Sequence, residues 1–184
     1  APMLVQPTLL IRGGASRVVS APTLSETTTR LDIGDAVDSY GWALTASKMR
    51  GDASVGDGVA DDRGFVGTGT AWALFDFEDP PGLLTGTQKF RVRAKASSTA
   101  GAPKLVVKLY EGSTERATLG TITLTTSMAT YEFTWTHASL SSADGSNVRV
   151  RVEHDDGTAG SGYTSIDAID WLCSHFTSGG GAGG

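Results

Sequence analysis

The chain of 184 residues is poor in cysteine, in proline and in charge. Its single cysteine, Cys173, cannot close a disulfide within the chain, so the fold depends on packing alone. No stretch approaches the ~20 consecutive apolar residues that a transmembrane helix needs. Charged residues make up only 19% of the chain, whereas glycine, serine and threonine are abundant. This composition is typical of an all-β domain and argues against a helical bundle.

Alternation of apolar and polar residues is the strongest pattern that the chain does contain. In residues 87–96, Phe90, Val92, Ala94 and Ala96 alternate with lysines and arginines, as expected for a strand with one face in a core. Similar segments separated by turn residues predict seven strands, at 70–76, 87–96, 104–110, 117–124, 131–136, 147–153 and 163–172. With one more strand from the first seventy residues, the sequence predicts an antiparallel eight-stranded β-sandwich of the jelly-roll or Greek-key type.

The chain divides into three predicted parts. Residues 1–24 form an arm too short for a core of its own, which we expect to join a sheet edge or to reach a neighbouring subunit. Residues 25–175 hold the sandwich, and their acidic, weakly periodic beginning at 25–69 predicts long loops with one or two short strands. Residues 176–184 are rich in glycine and predict a flexible tail. The N-terminus does not resemble a secretory signal, which favours a protein made in the host cytoplasm.

The strand region is basic and its flanks are acidic. Its outward-facing positions predict a cationic stripe of Lys89, Arg91, Arg93, Lys95, Lys108, Arg149 and Arg151. Such a stripe either keeps the strand faces soluble and discourages edge pairing, or docks on an acidic partner through residues such as Arg91 and Arg93. The net charge of −5 and the lack of aromatic residues between the cations argue against nucleic acid as a partner.

No catalytic constellation appears in the sequence. The histidines have no partners at the spacing of a zinc site and are predicted to be surface or partly buried structural residues: His137, His154 and His175. No serine lies in a Gly-x-Ser-x-Gly elbow, and adjacent acids such as Asp61 and Asp62 are typical of solvated turns. We therefore predict no catalytic residue and no cofactor.

A weak calcium signal remains open. Asp57, Asp61 and Asp62 lie in and after a Gly-Asp-Gly loop whose oxygen atoms are ligands that calcium accepts. Their spacing differs from that of the helix-loop-helix calcium loop. The three aspartates are therefore candidate ligands only.

The tryptophans give a second binding signal. Trp72, Trp135 and Trp171 each lie within a predicted strand, where burial is expected. Trp42 lies in a loop-rich stretch and is the candidate for stacking against a sugar.

The strand sequences resemble those of small structural proteins of tailed phages. The resemblance covers about residues 60–173 and is carried by segments 90–95, 104–112, 131–136, 147–152 and 166–172. Those phage proteins are similar to galactose-binding-like jelly rolls and occur as head decoration or minor tail proteins. The resemblance implies a location at the virion surface, with other virion proteins and copies of the chain itself as partners, and it carries over no active site.

These observations predict a non-enzymatic virion structural protein that decorates or stabilises a phage capsid or tail surface. We expect its contacts to come from the apolar residues of the arm, which are Leu4, Val5, Leu9, Leu10 and Ile11. Symmetric repetition across the particle would multiply each weak contact. The alternative is a carbohydrate-binding module of jelly-roll type that mediates adhesion to cell-surface glycans. Such modules usually expose two or three aromatic residues at loop tips or along a concave face, whereas most aromatic residues here lie in predicted strands.

Overall fold

The computed structural model describes residues 24–43, 53–54, 62–64, 71–155 and 163–178. Within them lie ten strands: β1 Leu24–Tyr40, β2 Trp42–Ala43, β3 Asp62–Gly64, β4 Ala71–Phe77, β5 Thr87–Ala96, β6 Lys104–Glu111, β7 Thr114–Thr123, β8 Ala129–Thr136, β9 Val148–Asp155 and β10 Thr164–Ser178. A 3-10 turn, His137–Ser139, follows β8. None of the helical structure in these ranges has the length and apolar character needed to cross a bilayer.

The strands pair antiparallel and form two sheets. The first sheet has the order β2-β3-β10-β5-β8, and the beginning of β1 pairs with the end of β10. The second sheet has the order β1-β4-β9-β6-β7. Strand β1 therefore belongs to both sheets, and register shifts between Ile33 and Asp38 mark the bulged segment where it joins the second.

Aromatic rings from both sheets meet in the core. Phe77 of the second sheet stacks on Phe90 of the first with 5.2 Å between ring centroids, and it meets Trp171 edge to face at 5.5 Å. Trp135 packs against Phe90 at 5.4 Å. Around these rings, the inward residues of β5, β6 and β9 are buried as their alternation predicted. The predicted all-β antiparallel sandwich is confirmed.

The first seventy residues depart from the prediction. The sequence predicted one strand from this region, in a stretch of mostly loops, whereas β1 alone has 17 residues and β2 and β3 add two short strands. The bulges of β1 and its change of sheet break the period-two pattern, which explains why it was missed. Leu24, predicted as the last residue of the arm, begins β1, and residues 1–23 lie outside the described part.

The C-terminal boundary also shifts. Strand β10 continues to Ser178, three residues into the tail predicted for 176–184, because its last residues pair with the beginning of β1. Residues 179–184 lie outside the described part of the chain. The division into arm, sandwich and tail otherwise stays a prediction.

Candidate functional site on the second sheet

Rows of outward-pointing side chains cross the second sheet. Directly opposed residues of antiparallel strands share a face, so the register fixes which side chains are neighbours. The first row is Tyr40, Trp72, Glu153, Val106 and Thr121. The second row is Asp38, Leu74, Arg151, Lys108 and Thr118. The third row is Asp76, Arg149, Tyr110 and Glu115. These residues are called the outer face below. The first two rows cross five strands and therefore span ~19 Å at a strand spacing of ~4.8 Å.

Two aromatic residues lie side by side at one end of the first row. Tyr40 is 67% exposed and is paired directly with the half-buried Trp72. The guanidinium of Arg151 lies over the Trp72 ring, 4.1 Å from its centroid, in a cation–π contact. One side of Trp72 is therefore covered by protein, whereas Tyr40 offers an open aromatic surface.

An ion-pair network holds the centre of the outer face. Arg151 Nε lies 2.7 Å from Glu153 Oε1, and Lys108 Nζ lies 3.1 Å from the same oxygen. Lys108 Nζ is also 3.3 Å from Glu115 Oε2, to which the Tyr110 hydroxyl donates at 3.1 Å. Arg151 Nη1 donates to the Tyr110 hydroxyl at 3.3 Å, which closes the network.

The network shifts the pKa values of two of its members. Burial acts to lower the pKa of Lys108, but the hydrogen bonds and charges of Glu153 and Glu115 outweigh it and raise that pKa. Burial acts to raise the pKa of Glu115, but hydrogen bonds from Tyr110 and Lys108 outweigh it and lower that pKa. Both shifts favour the charged forms, so the centre of the outer face carries fixed charges of both signs at neutral pH.

The tryptophan predictions are partly corrected. Trp135 and Trp171 are 5% and 0% exposed, as predicted for strand residues. Trp72, also predicted to be buried, instead points outward between the inward residues Ala71 and Ala73. The alternation itself contained this signal, because a residue between two core positions of a strand faces the other way. Trp42 lies in β2 but its side chain is outside the described part, so its role in glycan binding stays a prediction.

Arg91 and Arg93, predicted as outward contacts for a partner, are instead held by carboxylates of the protein. Arg91 is 8% exposed and pairs with Asp170, while Arg93 Nε lies 2.9 Å from Asp167 Oδ2. The backbone of Ala53, itself 0% exposed, covers this part of the first sheet and donates its N–H to Asp170 at 3.0 Å. The expectation of an exposed Arg91 is therefore wrong.

The predicted cationic stripe is divided between the two sheets. Its first four residues lie on β5 of the first sheet, and the other three lie on the outer face: Lys108, Arg149 and Arg151. Lys89 pairs with Glu132 at 2.8 Å, so this cation is also matched by an acid. A single cationic face does not form from these seven residues.

Two of the histidines are more deeply buried than predicted. His154 and His175 are 0% and 1% exposed, and their ring nitrogens lie 2.5 Å and 2.9 Å from the hydroxyls of Thr164 and Thr29. Hydrogen bonding to these threonines allows the polar rings to sit in the interior.

Several predicted site residues lie outside the described part of the chain. They are the arm residues Leu4, Val5, Leu9, Leu10 and Ile11 and the calcium candidates Asp57 and Asp61. Asp62 begins β3, but its side chain is likewise not described. Among the residues that are described, no three His, Cys, Asp or Glu side chains are grouped to hold a metal ion. These arm and calcium assignments stay predictions.

A second surface feature lies where β1 begins and β10 ends. A cleft of about 470 Å³ is lined by Leu24, Pro81, Gly82, Leu83, Phe176 and Thr177. Leu24 and Leu83 are 60% and 59% exposed. The cleft is therefore an apolar patch next to the point where residues 1–23 join the sandwich.

No protein-family model and no curated protein matches the chain. Among solved structures, the C-terminal CBM6 of LamC, a marine laminarinase from Zobellia galactanivorans, is 12% identical, with 79% of this chain and 99% of that chain covered and a TM-score of 0.46. The carbohydrate-binding module CBM6cm-2 from Cellvibrio mixtus lichenase 5A, in complex with cellotriose, is 15% identical, with coverage of 78% and 95% and a TM-score of 0.41. CBM35 from Paenibacillus barcinonensis is 15% identical, with coverage of 85% and 99% and a TM-score of 0.37. Identities and TM-scores this low assign no function to the present chain.

Proposed function

We propose that this protein is a non-enzymatic binding module that holds a neutral glycan chain on the outer face. The observation that carries the proposal is Tyr40, 67% exposed and directly beside Trp72, at the edge of a face whose neighbouring rows carry polar and charged side chains such as Glu153 and Arg151. An exposed aromatic ring packs well against the C–H groups of a sugar ring, while fixed polar groups nearby bind its hydroxyls. The outer face combines both features within adjacent strands.

The shape and the charge of the outer face favour an extended, uncharged ligand. A row of ~19 Å suits several sugar rings rather than a single one. Four carboxylates on this face outnumber its three cations: Asp38, Asp76, Glu115 and Glu153 against Lys108, Arg149 and Arg151. Together with the net charge of −5, this balance repels an acidic glycan.

Binding to a panel of soluble neutral oligosaccharides tests the proposal. We expect at least one to bind by titration calorimetry, and Tyr40→Ala to weaken that binding at least about tenfold, or ~1.4 kcal/mol. Leu83→Ala is the matched control, because Leu83 is similarly exposed but lies away from the outer face. Absence of binding across the panel, or equal affinities of wild type and Tyr40→Ala, would overturn the proposal.

A second proposal is the virion structural role predicted from the sequence. The apolar cleft beside Leu24 and Leu83 supports it, because contiguous exposed apolar side chains mark protein contacts. Deletion of residues 1–14 and, separately, Leu83→Asp should each reduce association with purified particles while the sandwich stays folded. Unchanged occupancy of the particles in both variants would refute this role.

A further inference from the structure

We infer that Arg151 selects the glycan by binding two adjacent hydroxyls of one sugar ring, an inference that rests on the proposed glycan site. Its guanidinium is held on three sides before any ligand arrives. The ring of Trp72 lies below it at 4.1 Å, Glu153 Oε1 is 2.7 Å from Nε, and the Tyr110 hydroxyl is 3.3 Å from Nη1. The group is thus fixed in one orientation.

The held guanidinium retains unused donors. Arginine has five N–H groups in a planar fork. Nε is buried and lies 2.7 Å from Glu153 Oε1 as an ion pair without a hydrogen bond, and one N–H of Nη1 binds Tyr110. Nη2 makes no hydrogen bond to any residue in the described part of the chain. The side chain is 23% exposed, so part of it is open to solvent. A planar fork of parallel donors fits two oxygen acceptors side by side, which a pair of neighbouring sugar hydroxyls supplies.

The position of Arg151 matches a sugar stacked on Tyr40. Tyr40 and Trp72 are directly opposed on neighbouring strands, ~4.8 Å apart, and the guanidinium lies over Trp72. In the arrangement that we infer, a sugar ring on the open face of Tyr40 has its edge toward the guanidinium. Because Arg151 covers Trp72, the tryptophan orients the arginine rather than stacking against the sugar.

Arg149 provides a matched comparison within the same strand. It precedes Arg151 by two residues in β9, so it points to the same face and carries the same charge. Unlike Arg151, it has no ion pair or hydrogen bond to the described residues through its side chain. A purely electrostatic contribution would be kept by a lysine at either position, whereas a preorganised fork makes Arg151 the selective one, since less freedom is lost on binding.

The test compares an oligosaccharide that binds wild type and is lost in Tyr40→Ala with its singly deoxygenated derivatives. Arg151→Lys keeps the charge but removes the planar fork, and we expect it to weaken binding of the parent sugar at least about tenfold, against less than about twofold for Arg149→Lys. Removing one of the two contacted hydroxyls should weaken wild type by a similar factor and leave Arg151→Lys nearly unaffected. Thermal unfolding checks that each variant is folded.

The outcomes separate the two proposals. If no oligosaccharide binds, the glycan site and the role of Arg151 both fail. Two results would keep the glycan site but overturn the role of Arg151. In the first, binding depends on Tyr40 but Arg151→Lys binds the parent sugar as tightly as wild type. In the second, removal of a hydroxyl weakens binding by the same factor in wild type and in Arg151→Lys. Should Arg151→Lys not fold, Tyr110→Phe replaces it, because it frees Arg151 from one restraint. If Tyr110→Phe weakens binding about threefold or more, and only for sugars with both hydroxyls, the inference is supported. If Tyr110→Phe binds all of these sugars with wild-type affinity, the inference is overturned.

Discussion

Arg91 and Asp170 form a two-bond ion pair across strands β5 and β10, directly opposite each other in the first sheet. Arg91 Nε donates to Asp170 Oδ1 at 2.8 Å, and Nη2 donates to Oδ2 at 2.5 Å. Both side chains are almost fully buried, with exposures of 9% and 0%. The backbone N–H of Ala53 donates to Oδ2 as well, so both carboxylate oxygens have donors inside the protein.

Removing one partner of this pair should be strongly destabilising. Asp170→Ala removes the opposed carboxylate from the buried Arg91 guanidinium, and we expect the free energy of unfolding to fall by ~3–5 kcal/mol. Glu132→Ala is the control, because it removes the pair with Lys89 on the same strand β5, and Glu132 is 52% exposed. That change should cost less than ~1 kcal/mol. Urea unfolding measures the loss of stability in both variants. Equal losses would contradict a stabilising role of the buried Arg91–Asp170 pair beyond that of an exposed ion pair.

The alternation of residues predicted the second half of the fold because each strand there has one face in the core. The bounds of β5 are those predicted, and the bounds of β6 and β9 differ by only one or two residues. The alternation could not predict the burial of Arg91. Its partner Asp170 is 79 residues away in sequence, and the covering residue Ala53 lies in a weakly periodic stretch.

The candidate site was harder to predict than the fold. Tyr40 was missed because β1 was not recognised as a strand, so its outward direction could not be assigned. The contact between Arg151 and Trp72 depends on the register of β9 against β4, which a single sequence does not specify. What the sequence did contain was the outward direction of Trp72 within β4, since both of its neighbours face the core.

Gln88 forms a buried hydrogen-bond centre between β5 and β10. Its side chain is 0% exposed, and Oε1 accepts bonds from Trp171 Nε1 and the Ser174 backbone N–H, both at 3.0 Å. Nε2 donates to the backbone carbonyls of Thr85 and Ser174 at 2.7 Å and 2.8 Å. An amide is therefore required here, because the site needs an acceptor and two donors in one side chain.

Gln88→Glu keeps the size of the side chain but places a carboxylate against two carbonyl oxygens. We expect a loss of ~3 kcal/mol or more at pH 7, since a buried charge would face acceptors instead of donors. The introduced carboxyl should have a raised pKa in the folded state, so its penalty is smaller below the unfolded value of ~4.3 and grows as pH rises. Urea unfolding at pH 4 and pH 7 measures this trend. Thr87→Ala, at the exposed neighbouring position, should change stability by less than ~0.5 kcal/mol at both.

Glu111 ties the end of β6 to the loop after the 3-10 turn. Its carboxylate accepts the backbone N–H groups of Ser141 at 3.0 Å and Ser142 at 2.9 Å, and it pairs with Arg116. Burial alone would raise the pKa of Glu111, but the bonds from Ser141, Ser142 and Arg116 outweigh it and lower the pKa to about 2.

This lowered pKa predicts the pH dependence of stability. Because the folded value lies below the unfolded value of ~4.3, the contribution of Glu111 is fully present above ~4.3 and is lost as pH falls toward 2. Glu111→Gln should therefore be less stable than wild type at pH 6, and the difference should shrink between pH 4 and pH 2.5. Urea unfolding across this range measures it. A difference that is constant with pH would show that the carboxylate charge is not responsible.

Gly82 permits a close approach between the turn before Leu83 and the end of β10. A Cβ atom at this position would lie 2.2 Å from the backbone oxygen of Phe176, which cannot move without disturbing the strand. The same strand end donates the Phe176 N–H to the Leu83 carbonyl at 2.9 Å. Gly82→Ala should therefore push the two segments apart and break this bond, at a cost of ~1–3 kcal/mol.

Amide exchange distinguishes this clash from a general effect of losing a glycine. In Gly82→Ala, the Phe176 amide should exchange faster than in wild type, because its acceptor has moved away. Gly86→Ala is the control: Gly86 has a positive φ of +56° but no atom within 4 Å of where a Cβ would lie, so this variant loses ~1–2 kcal/mol through backbone strain alone. It should leave the relative protection of the Phe176 amide unchanged. Protection of that amide in Gly82→Ala equal to that in Gly86→Ala would mean that the β10 end tolerates the added carbon, and that the glycine is not needed for the approach.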